Sequence, residues 1–214
     1  MRVLAVGAHF DDVELGCGGA LIQHVRAKDK VTALVVTDSE YVNYDGRILR
    51  KKKTAFLEGQ RAAKIIGADL ICGNMKTKEV TYNSKLIEFL NKFIDDLKID
   101  LIYTHWDHDV HQDHSAIGKA TLNAGRHIPR ILMYRSNWYQ TSDLFRGTYY
   151  VDISDVMDVK IKAVKAHATE YRKVGKGWIE FFKNENRNNG QEIGVRYAEV
   201  FEVIKYLNMI RRKP

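Results

Sequence analysis

The chain alternates apolar runs of strand length with longer amphipathic segments, a pattern typical of α/β proteins. Continuous apolar runs predict buried parallel strands at 2–8, 31–37, 70–72, 101–104 and 130–135. Between them, apolar residues recur with a helical period, which predicts helices at 16–28, 49–66, 84–97 and 115–125. The sequence therefore predicts an α/β fold with a mostly parallel sheet and helices on both faces.

The pattern weakens after residue 136. A strand is predicted at 149–153 and a helix at 158–171, whereas 195–206 fits either a strand or a helix. No internal repeat or low-complexity stretch divides the chain, and its 214 residues suit a single domain.

Composition changes this picture little. The formal charge of +7 and the pI near 9.3 indicate a basic surface. The densest basic run, at 50–53, begins a predicted helix, whereas nucleic-acid binding needs basic residues on one face with aromatics between them. We therefore expect no nucleic-acid partner, and an anionic small substrate is a comparable explanation of the charge.

Cysteine content and hydropathy indicate the compartment. Cys17 and Cys72 are too few for a disulfide framework. No apolar stretch is long enough to span a bilayer, and His9, Asp11 and Asp12 interrupt the N-terminal apolar run too early for a signal peptide. We expect a cytoplasmic protein without a membrane partner.

The first candidate site follows directly after the first predicted strand, where open α/β sheets bind ligands. A sharp turn can direct His9 and Asp12 at one metal ion, and Asp11 would then border the ion without ligating it. Alternatively, Asp11 or Asp12 caps the next helix, because aspartate accepts hydrogen bonds from free N–H groups. Taken alone, this segment fits both interpretations.

The second candidate site follows the strand predicted at 101–104. Four of the chain's 8 histidines lie between residues 104 and 115, together with three aspartates. Such a concentration favours a metal site over a solvated loop. Catalytic zinc commonly has three protein ligands and one open position, and His9, Asp12 and His114 would supply the three.

The remaining acids and histidines suggest a hydrolytic reaction, because zinc lowers the pKa of a bound water. Asp11 could act as general base, and a protonated His111 could stabilise the oxyanion formed from an amide or ester. A hydrogen bond from the His111 ring to the Asp113 carboxylate would favour the charged imidazole of His111. His105 and His108 are surplus, and we assign them to the surroundings of the site or to the surface.

A dinucleotide site is a competing interpretation of the N-terminal region. The glycines of 16–19 follow a strand and begin a helix, and Asp38 ends the second strand. However, Leu21 stands where a third glycine is required, and the acidic connecting loop would repel a pyrophosphate. We expect that these glycines instead let the helix pack closely on the sheet.

Two other classes of metal enzyme share part of the ligand pattern. Segment 109–114 is one residue away from the HxHxDH pattern of metallo-β-lactamases, but that interpretation leaves His9 and Asp12 without a role and requires a β-sandwich. Two histidines and one carboxylate could also bind the iron of an oxygenase, which usually has a β-barrel. The alternation of strands and helices fits neither fold.

Both candidate sites together resemble a known family. Residues 8–14 (AHFDDVE) and 111–114 (HQDH) resemble the AHPDDE-like and HxDH-like motifs of the LmbE-like, or PIG-L, zinc-dependent N-acetylglucosaminyl deacetylases. Residues 160–171 (KIKAVKAHATEY) are similar to the family's helix that ends in a histidine, and 197–201 (YAEVF) to its C-terminal AE-x-F element.

The resemblance implies a Rossmann-like fold over 1–214, with a core at 1–136 and C-terminal elements at 137–214 that complete the fold and the pocket. It implies removal of an N-acyl group, preferably acetyl, from an amino sugar or similar small molecule, and it leaves a homo-oligomer open. It also implies one zinc ion per chain and these roles: His9, Asp12 and His114 as ligands, Asp11 as general base, and His111 as oxyanion partner oriented by Asp113.

The chain departs from the family pattern at several positions. Phe10 and Gln112 replace the usual prolines of the two motifs, and Val13 separates the aspartates from the motif's glutamate. Ala55 stands where relatives often have an arginine, three residues before the glutamate at 58. Arg47, Arg50 and Lys53 are candidates to replace that arginine. The candidate substrate-binding residues are Asp109, Arg47, Arg50 and His167, the last of which fits a pocket wall and a buried core position equally well.

Metal analysis distinguishes these interpretations. We expect the purified protein to contain stoichiometric zinc, measured by elemental analysis on the same sample that is assayed for acetate release. A metal-free protein that binds NAD would instead support the dinucleotide interpretation.

Overall fold

The computed structural model describes residues 1–208 and contains nine strands and seven α-helices within them. The strands are β1 (Arg2–Gly7), β2 (Lys30–Thr37), β3 (Tyr41–Val42), β4 (Ile48–Arg50), β5 (Asp69–Met75), β6 (Leu101–His105), β7 (Arg130–Tyr134), β8 (Tyr149–Asp152) and β9 (Ala198–Tyr206). The helices are α1 (Asp12–Arg26), α2 (Lys52–Ile66), α3 (Ser84–Asp96), α4 (Gln112–Ala124), α5 (Met157–Lys165), α6 (Ala168–Val174) and α7 (Lys176–Glu192).

Seven of the strands form one sheet in the order β5-β2-β1-β6-β7-β9-β8. The first five of these are parallel, whereas β9 runs antiparallel to both β7 and β8. The chain moves outward from β1 through β2 to β5 and then returns to the other side of β1 with β6. The carboxyl ends of β1 and β6 therefore form a topological switch point, where open α/β sheets bind ligands.

Both faces of the sheet are covered, as β1 illustrates. Val3 and Ala5 pack into one apolar cluster with residues of α1 and α5, whereas Leu4 and Val6 pack into another with residues of α3 and α4. Successive side chains of a strand point to opposite faces, so an uninterrupted apolar run suits a strand covered on both sides. The predicted single α/β domain with a mostly parallel sheet is confirmed.

Three predicted boundaries in the N-terminal part were wrong. The helix expected at 49–66 begins only at Lys52, because residues 48–50 pair with 41–42 in a β-hairpin. Helices α1 and α4 each begin about one turn earlier than predicted, at Asp12 and Gln112. Both candidate motifs therefore reach into the first turn of a helix.

The C-terminal part contains one helix that was not predicted. The helix expected at 158–171 is divided into α5 and α6 around His167, and the ambiguous segment forms β9. Helix α7 was missed, although Trp178, Phe182, Asn186 and Gly190 form a buried stripe with helical spacing. Among the helices within 1–208, none combines the length and apolarity needed to cross a membrane.

The glycines of α1 permit close packing, as predicted. A Cβ atom on Gly16 would lie 2.0 Å from the Tyr134 ring, and one on Gly19 would lie 2.5 Å from the Ile153 side chain. Their lack of a side chain is thus explained by packing against the sheet rather than by a dinucleotide.

A buried ion pair connects α1, α5 and β9. The Lys160 ammonium lies 2.7 Å from Glu199 Oε1 and also donates to the Leu15 carbonyl. The Glu199 carboxylate accepts the backbone N–H groups of Gly19 and Ala20, both at 2.7 Å. Glu199 of the AE-x-F element therefore has a structural role in the core.

We expect Lys160→Met to reduce the free energy of unfolding by about 3–5 kcal/mol, because it leaves the Glu199 carboxylate buried without a cation. Urea denaturation followed by circular dichroism measures this change. Lys162→Met is the matched control, since Lys162 is exposed on the same helix and such changes usually stay within about 0.5 kcal/mol. Equal stability of the two variants would contradict the assigned role.

Candidate metal-dependent active site

The turn between β1 and α1 presents the first motif. Phe10 is buried, and its ring would lie 2.2 Å from a Cβ atom on Gly59 of α2, so this aromatic residue anchors the turn. Asp11 has a φ of 127°, a left-handed conformation that is costly for a residue with a side chain. Asp12 begins α1 and is 4% exposed. The turn thus directs two carboxylates and the His9 imidazole to one edge of the sheet.

The second motif lies at the start of α4, which follows β6, and β6 is the strand next to β1. The two motifs therefore meet at the same edge of the sheet. His114 Nε2 is 3.3 Å from His9 Nδ1 and 3.4 Å from Asp12 Oδ1, and His9 Nδ1 is 3.4 Å from Asp12 Oδ2. A tetrahedral zinc ion with bonds of about 2.0–2.1 Å separates its ligand atoms by about 3.3–3.4 Å. The spacing and the donor types of these three residues therefore fit a zinc ion.

Two of the three residues make further hydrogen bonds that fix their positions. Asp113 Oδ2 lies 3.0 Å from His9 Nε2, and Ser136 Oγ donates to Asp12 Oδ1 at 2.9 Å. Carboxylates that bind the outer nitrogen of a ligating histidine fix its tautomer and orientation. Asp113 thus makes an imidazole–carboxylate pair, which also argues against the alternative trio of His9, His111 and Asp113 as ligands.

Asp109 lies at ion-pair distance behind His114. Its Oδ2 lies 3.4 Å from His114 Nδ1, and Asn137 Nδ2 donates to both Asp109 oxygens at 2.8 Å. Asp109 is 8% exposed and does not line the cavity described below. The expectation that Asp109 contacts substrate is therefore not supported, because its carboxylate is occupied behind the histidine.

The charges around His9, Asp12 and His114 favour a positive charge at the centre of this cluster. Burial would raise the pKa of Asp12, but His114 and His105 hold it well below its usual range. Burial would lower the pKa of His114, but Asp12 and Asp109 outweigh it and raise the pKa to about 10. Asp113 and Asp12 similarly outweigh burial at His9 and raise its pKa to about 8. These carboxylates stabilise a cation at the centre of the cluster.

A cavity of about 380 Å³ opens beside this cluster. It is lined by His9, Asp11, Ser39, Tyr41, Arg50, Thr77, Lys78, His111, Tyr139, Glu170 and Lys173. Burial and the charge of Asp12 raise the pKa of Asp11 to about 7, which suits a group that accepts and returns a proton near neutral pH.

His111 lines the cavity, but its ring is neutral and not positively charged as predicted. Its Nδ1 accepts the backbone N–H of Asp113 at 3.2 Å, so the neutral ring carries its proton on Nε2. Burial and the neighbouring His114 and His9 lower the pKa of His111 to about 4. The expected hydrogen bond from the His111 ring to the Asp113 carboxylate, which would have favoured a charged His111, was wrong because Asp113 Oδ2 binds His9.

Arg50 is buried beside the cavity, whereas Arg47 is exposed to solvent. Arg50 is 4% exposed, donates to the Phe10 carbonyl at 3.1 Å and lies 3.2 Å from Glu58 Oε2. It thus supplies a guanidinium beside Glu58, the glutamate three residues after Ala55. Arg47 is exposed in the β3–β4 turn and does not line the cavity, so a role in binding is not supported for it.

His105 and His167 are buried behind the cavity. His105 accepts the Ala8 N–H at Nε2 and stacks on the His114 ring with centroids 4.0 Å apart. His167 Nε2 lies 3.3 Å from Glu14 Oε2, and the residue is fully buried, so it does not form the pocket wall. The position of His105 directly after the apolar run at 101–104 is the sequence signal for its burial, whereas exposed His108 pairs with Asp143 at the surface.

Comparison with known proteins gives a consistent result. The family model described as "PIG-L: GlcNAc-PI de-N-acetylase" matches residues 4–125. The chain is 32% identical to the "Uncharacterized deacetylase YaiS" of Escherichia coli, over 77% of this chain and 89% of that one. It is 26% identical to the diacetylchitobiose deacetylase of Thermococcus kodakarensis, over 92% of this chain and 81% of that one.

Solved structures share the fold. The conserved protein TT1542 from Thermus thermophilus matches with a TM-score of 0.84 at 22% identity, covering 98% of this chain and 97% of that one. The N,N'-diacetylchitobiose deacetylase from Pyrococcus horikoshii, in complex with its inhibitor MPG, matches with a TM-score of 0.82 at 21% identity, covering 95% and 83%.

We expect Asp109→Asn to weaken zinc affinity about 10–100-fold, because the amide keeps the shape of the side chain but removes the charge that faces His114. Competition with a chromogenic chelator measures the affinity. Asp143→Asn is the control, since that carboxylate faces the exposed His108. Unchanged affinity in the Asp109 variant would show that its carboxylate does not support a metal ligand.

Proposed function

Because the chain belongs to the PIG-L family, we propose that it is a zinc-dependent hydrolase that removes an N-acyl group, preferably acetyl, from an amino sugar or a similar small molecule. The observation that carries this proposal is the convergence of the His9, Asp12 and His114 donor atoms beside a cavity that Asp11 and His111 line. The named relatives that are deacetylases of diacetylchitobiose support an acetylated sugar as substrate.

His9, Asp12 and His114 would hold the zinc ion. When bound, zinc acts as a Lewis acid that makes a water molecule more acidic and polarises an acyl oxygen. Asp113 and Asp109 keep the imidazoles of His9 and His114 in the tautomers needed for ligation.

Asp11 is the general base in this proposal. It accepts a proton from water as the water attacks the acyl carbon, and it returns a proton to the leaving amine. The raised pKa of Asp11, about 7, matches both transfers. The strained backbone at Asp11 keeps its carboxylate at the cavity instead of in the cap of α1, where it makes no side-chain bond.

His111 stabilises the developing oxyanion as a neutral donor. Since Nδ1 is occupied by the Asp113 N–H, the Nε2–H remains for the acyl oxygen. A neutral imidazole is sufficient for this hydrogen bond, so the lowered pKa of His111 is compatible with the role.

Arg50 contributes to the substrate pocket in place of the arginine that relatives often have at position 55. The pocket also depends on both parts of the chain, since Tyr139, Glu170 and Lys173 line it. We therefore propose that 1–136 forms the core and that 137–214 completes the pocket. The proposed site of action is the cytoplasm.

We expect Asp11→Asn to bind zinc normally but to lose about 10²–10⁴-fold in kcat, because the amide cannot accept the proton. Acetate release from N-acetylated sugars measures turnover, and zinc content is measured on the same sample. Asp158→Asn serves as control, because Asp158 is exposed on α5. Full activity in the Asp11 variant would refute its assignment as the base.

We expect His114→Ala to abolish stoichiometric zinc binding, with a loss beyond the about 100-fold effect of removing an outer partner. Equilibrium dialysis followed by elemental analysis measures the bound metal. His108→Ala is a matched control from the same histidine-rich loop, since His108 is exposed. Retention of one zinc per chain by the His114 variant would mean that the ion binds elsewhere.

A further inference from the structure

Lys78 is held in a strained conformation beside the metal cluster. It lies between β5 and α3 and has a φ of 68°, in the left-handed region. Its N–H donates to Asp113 Oδ2 at 2.8 Å, and its carbonyl accepts the side-chain amide of Gln112. Such strain persists only where the surrounding structure fixes the backbone, so α4 determines where Lys78 stands.

The anchor for Lys78 depends on this chain's own sequence. Gln112 replaces the proline that is common at this position of the second motif, and a proline side chain cannot donate a hydrogen bond. The departure from the family pattern therefore has a structural consequence, because it attaches the Lys78 loop to the first turn of α4.

A second lysine meets Lys78 at the same aromatic ring. The Lys78 ammonium lies 4.4 Å from the centroid of the Tyr41 ring, and the Lys173 ammonium lies 4.1 Å from it. All three residues line the cavity that contains Asp11 and His111. Two cations from distant parts of the chain are thus gathered on one wall of the active-site cavity.

The carboxylates of the cavity do not neutralise this wall. Glu170 lies 3.2 Å from the Lys173 ammonium and 3.7 Å from Arg50, so one carboxylate is shared by two cations. Lys78 has no carboxylate within ion-pair distance among residues 1–208, and its ammonium donates only to the Val42 carbonyl there. A ligand anion would supply the missing negative charge.

We propose that the substrate carries an anionic group, a carboxylate or a phosphate, which Lys78 and Lys173 bind while the acylated amine faces Asp11 and His111. This inference rests on the proposed deacetylase function and narrows its substrate class. A purely neutral acetylated sugar would leave the Lys78 ammonium without a partner anion and would leave Lys173 sharing the Glu170 carboxylate with Arg50.

The first test compares matched substrates on the zinc-loaded full-length enzyme. N-acetylglucosamine 1-phosphate, N-acetylglucosamine 6-phosphate and N-acetylmuramic acid supply the anion, whereas N-acetylglucosamine and N,N'-diacetylchitobiose are neutral. We expect kcat/KM to be at least about tenfold higher for the best anionic compound, as one charge-assisted hydrogen bond would provide. The preferred compound distinguishes phosphate from carboxylate.

The second test uses lysine variants. We expect Lys78→Met and Lys173→Met each to reduce the ratio of anionic to neutral kcat/KM about tenfold, and we expect Lys78→Arg to retain most of the ratio. Lys76→Met is the matched control, because Lys76 is exposed in the same loop, pairs with Glu79 and does not line the cavity. An unchanged ratio in the Lys78 variant, or equal turnover of neutral compounds by the wild type, would overturn the inference and leave the deacetylase function intact.

A binding measurement tests the anion site independently of the proposed deacetylase activity. If none of the compounds is hydrolysed, calorimetric titration of each into zinc-loaded Asp11→Asn protein still tests the anion site. Selective binding of the anionic compounds that is lost in the Asp11→Asn/Lys78→Met double variant would support the inference without turnover. Equal or absent binding of the anionic compounds would contradict it.

Discussion

One electrostatic constraint underlies this structure: the buried Asp12 and His114 and the half-buried His9 have their donor atoms facing one another. His9, Asp12 and His114 approach within 3.4 Å at the sheet edge. Facing lone pairs in a poorly solvated site are unfavourable unless a cation or proton lies between them. Asp113 binds the outer nitrogen of His9, and Asp109 lies 3.4 Å from that of His114, so both carboxylates stabilise that positive charge. The arrangement therefore favours positive charge at the centre of the cluster, which the proposed zinc ion would supply.

The fold brings these groups together by topology. Because β1 and β6 are neighbouring parallel strands, the loops after both meet at the point where the strand order reverses. Three residues that line the cavity, Asp11, Ser39 and Lys78, have a positive φ. Backbone strain thus coincides with the chemical groups, as expected where side-chain position matters more than local stability.

Periodicity predicted the fold, whereas the site needed tertiary information. The apolar runs predicted every strand of the parallel part, but the starts of α1 and α4 were missed because Asp12 and Gln112 look like loop residues. Helix α7 was missed because its asparagines and glycines have low helix propensity. The motifs predicted which residues would lie together in the candidate site, but they did not predict the pairing of Asp113 with His9, because it depends on how two distant loops dock.

The most direct test is anomalous diffraction at the zinc edge from crystals of the zinc-loaded protein. The account predicts one peak per chain, within about 2.0–2.2 Å of donor atoms on His9, Asp12 and His114. A peak coordinated by His111 and Asp113 instead, or the absence of a peak at the carboxyl ends of β1 and β6 in crystals of active enzyme, would contradict it.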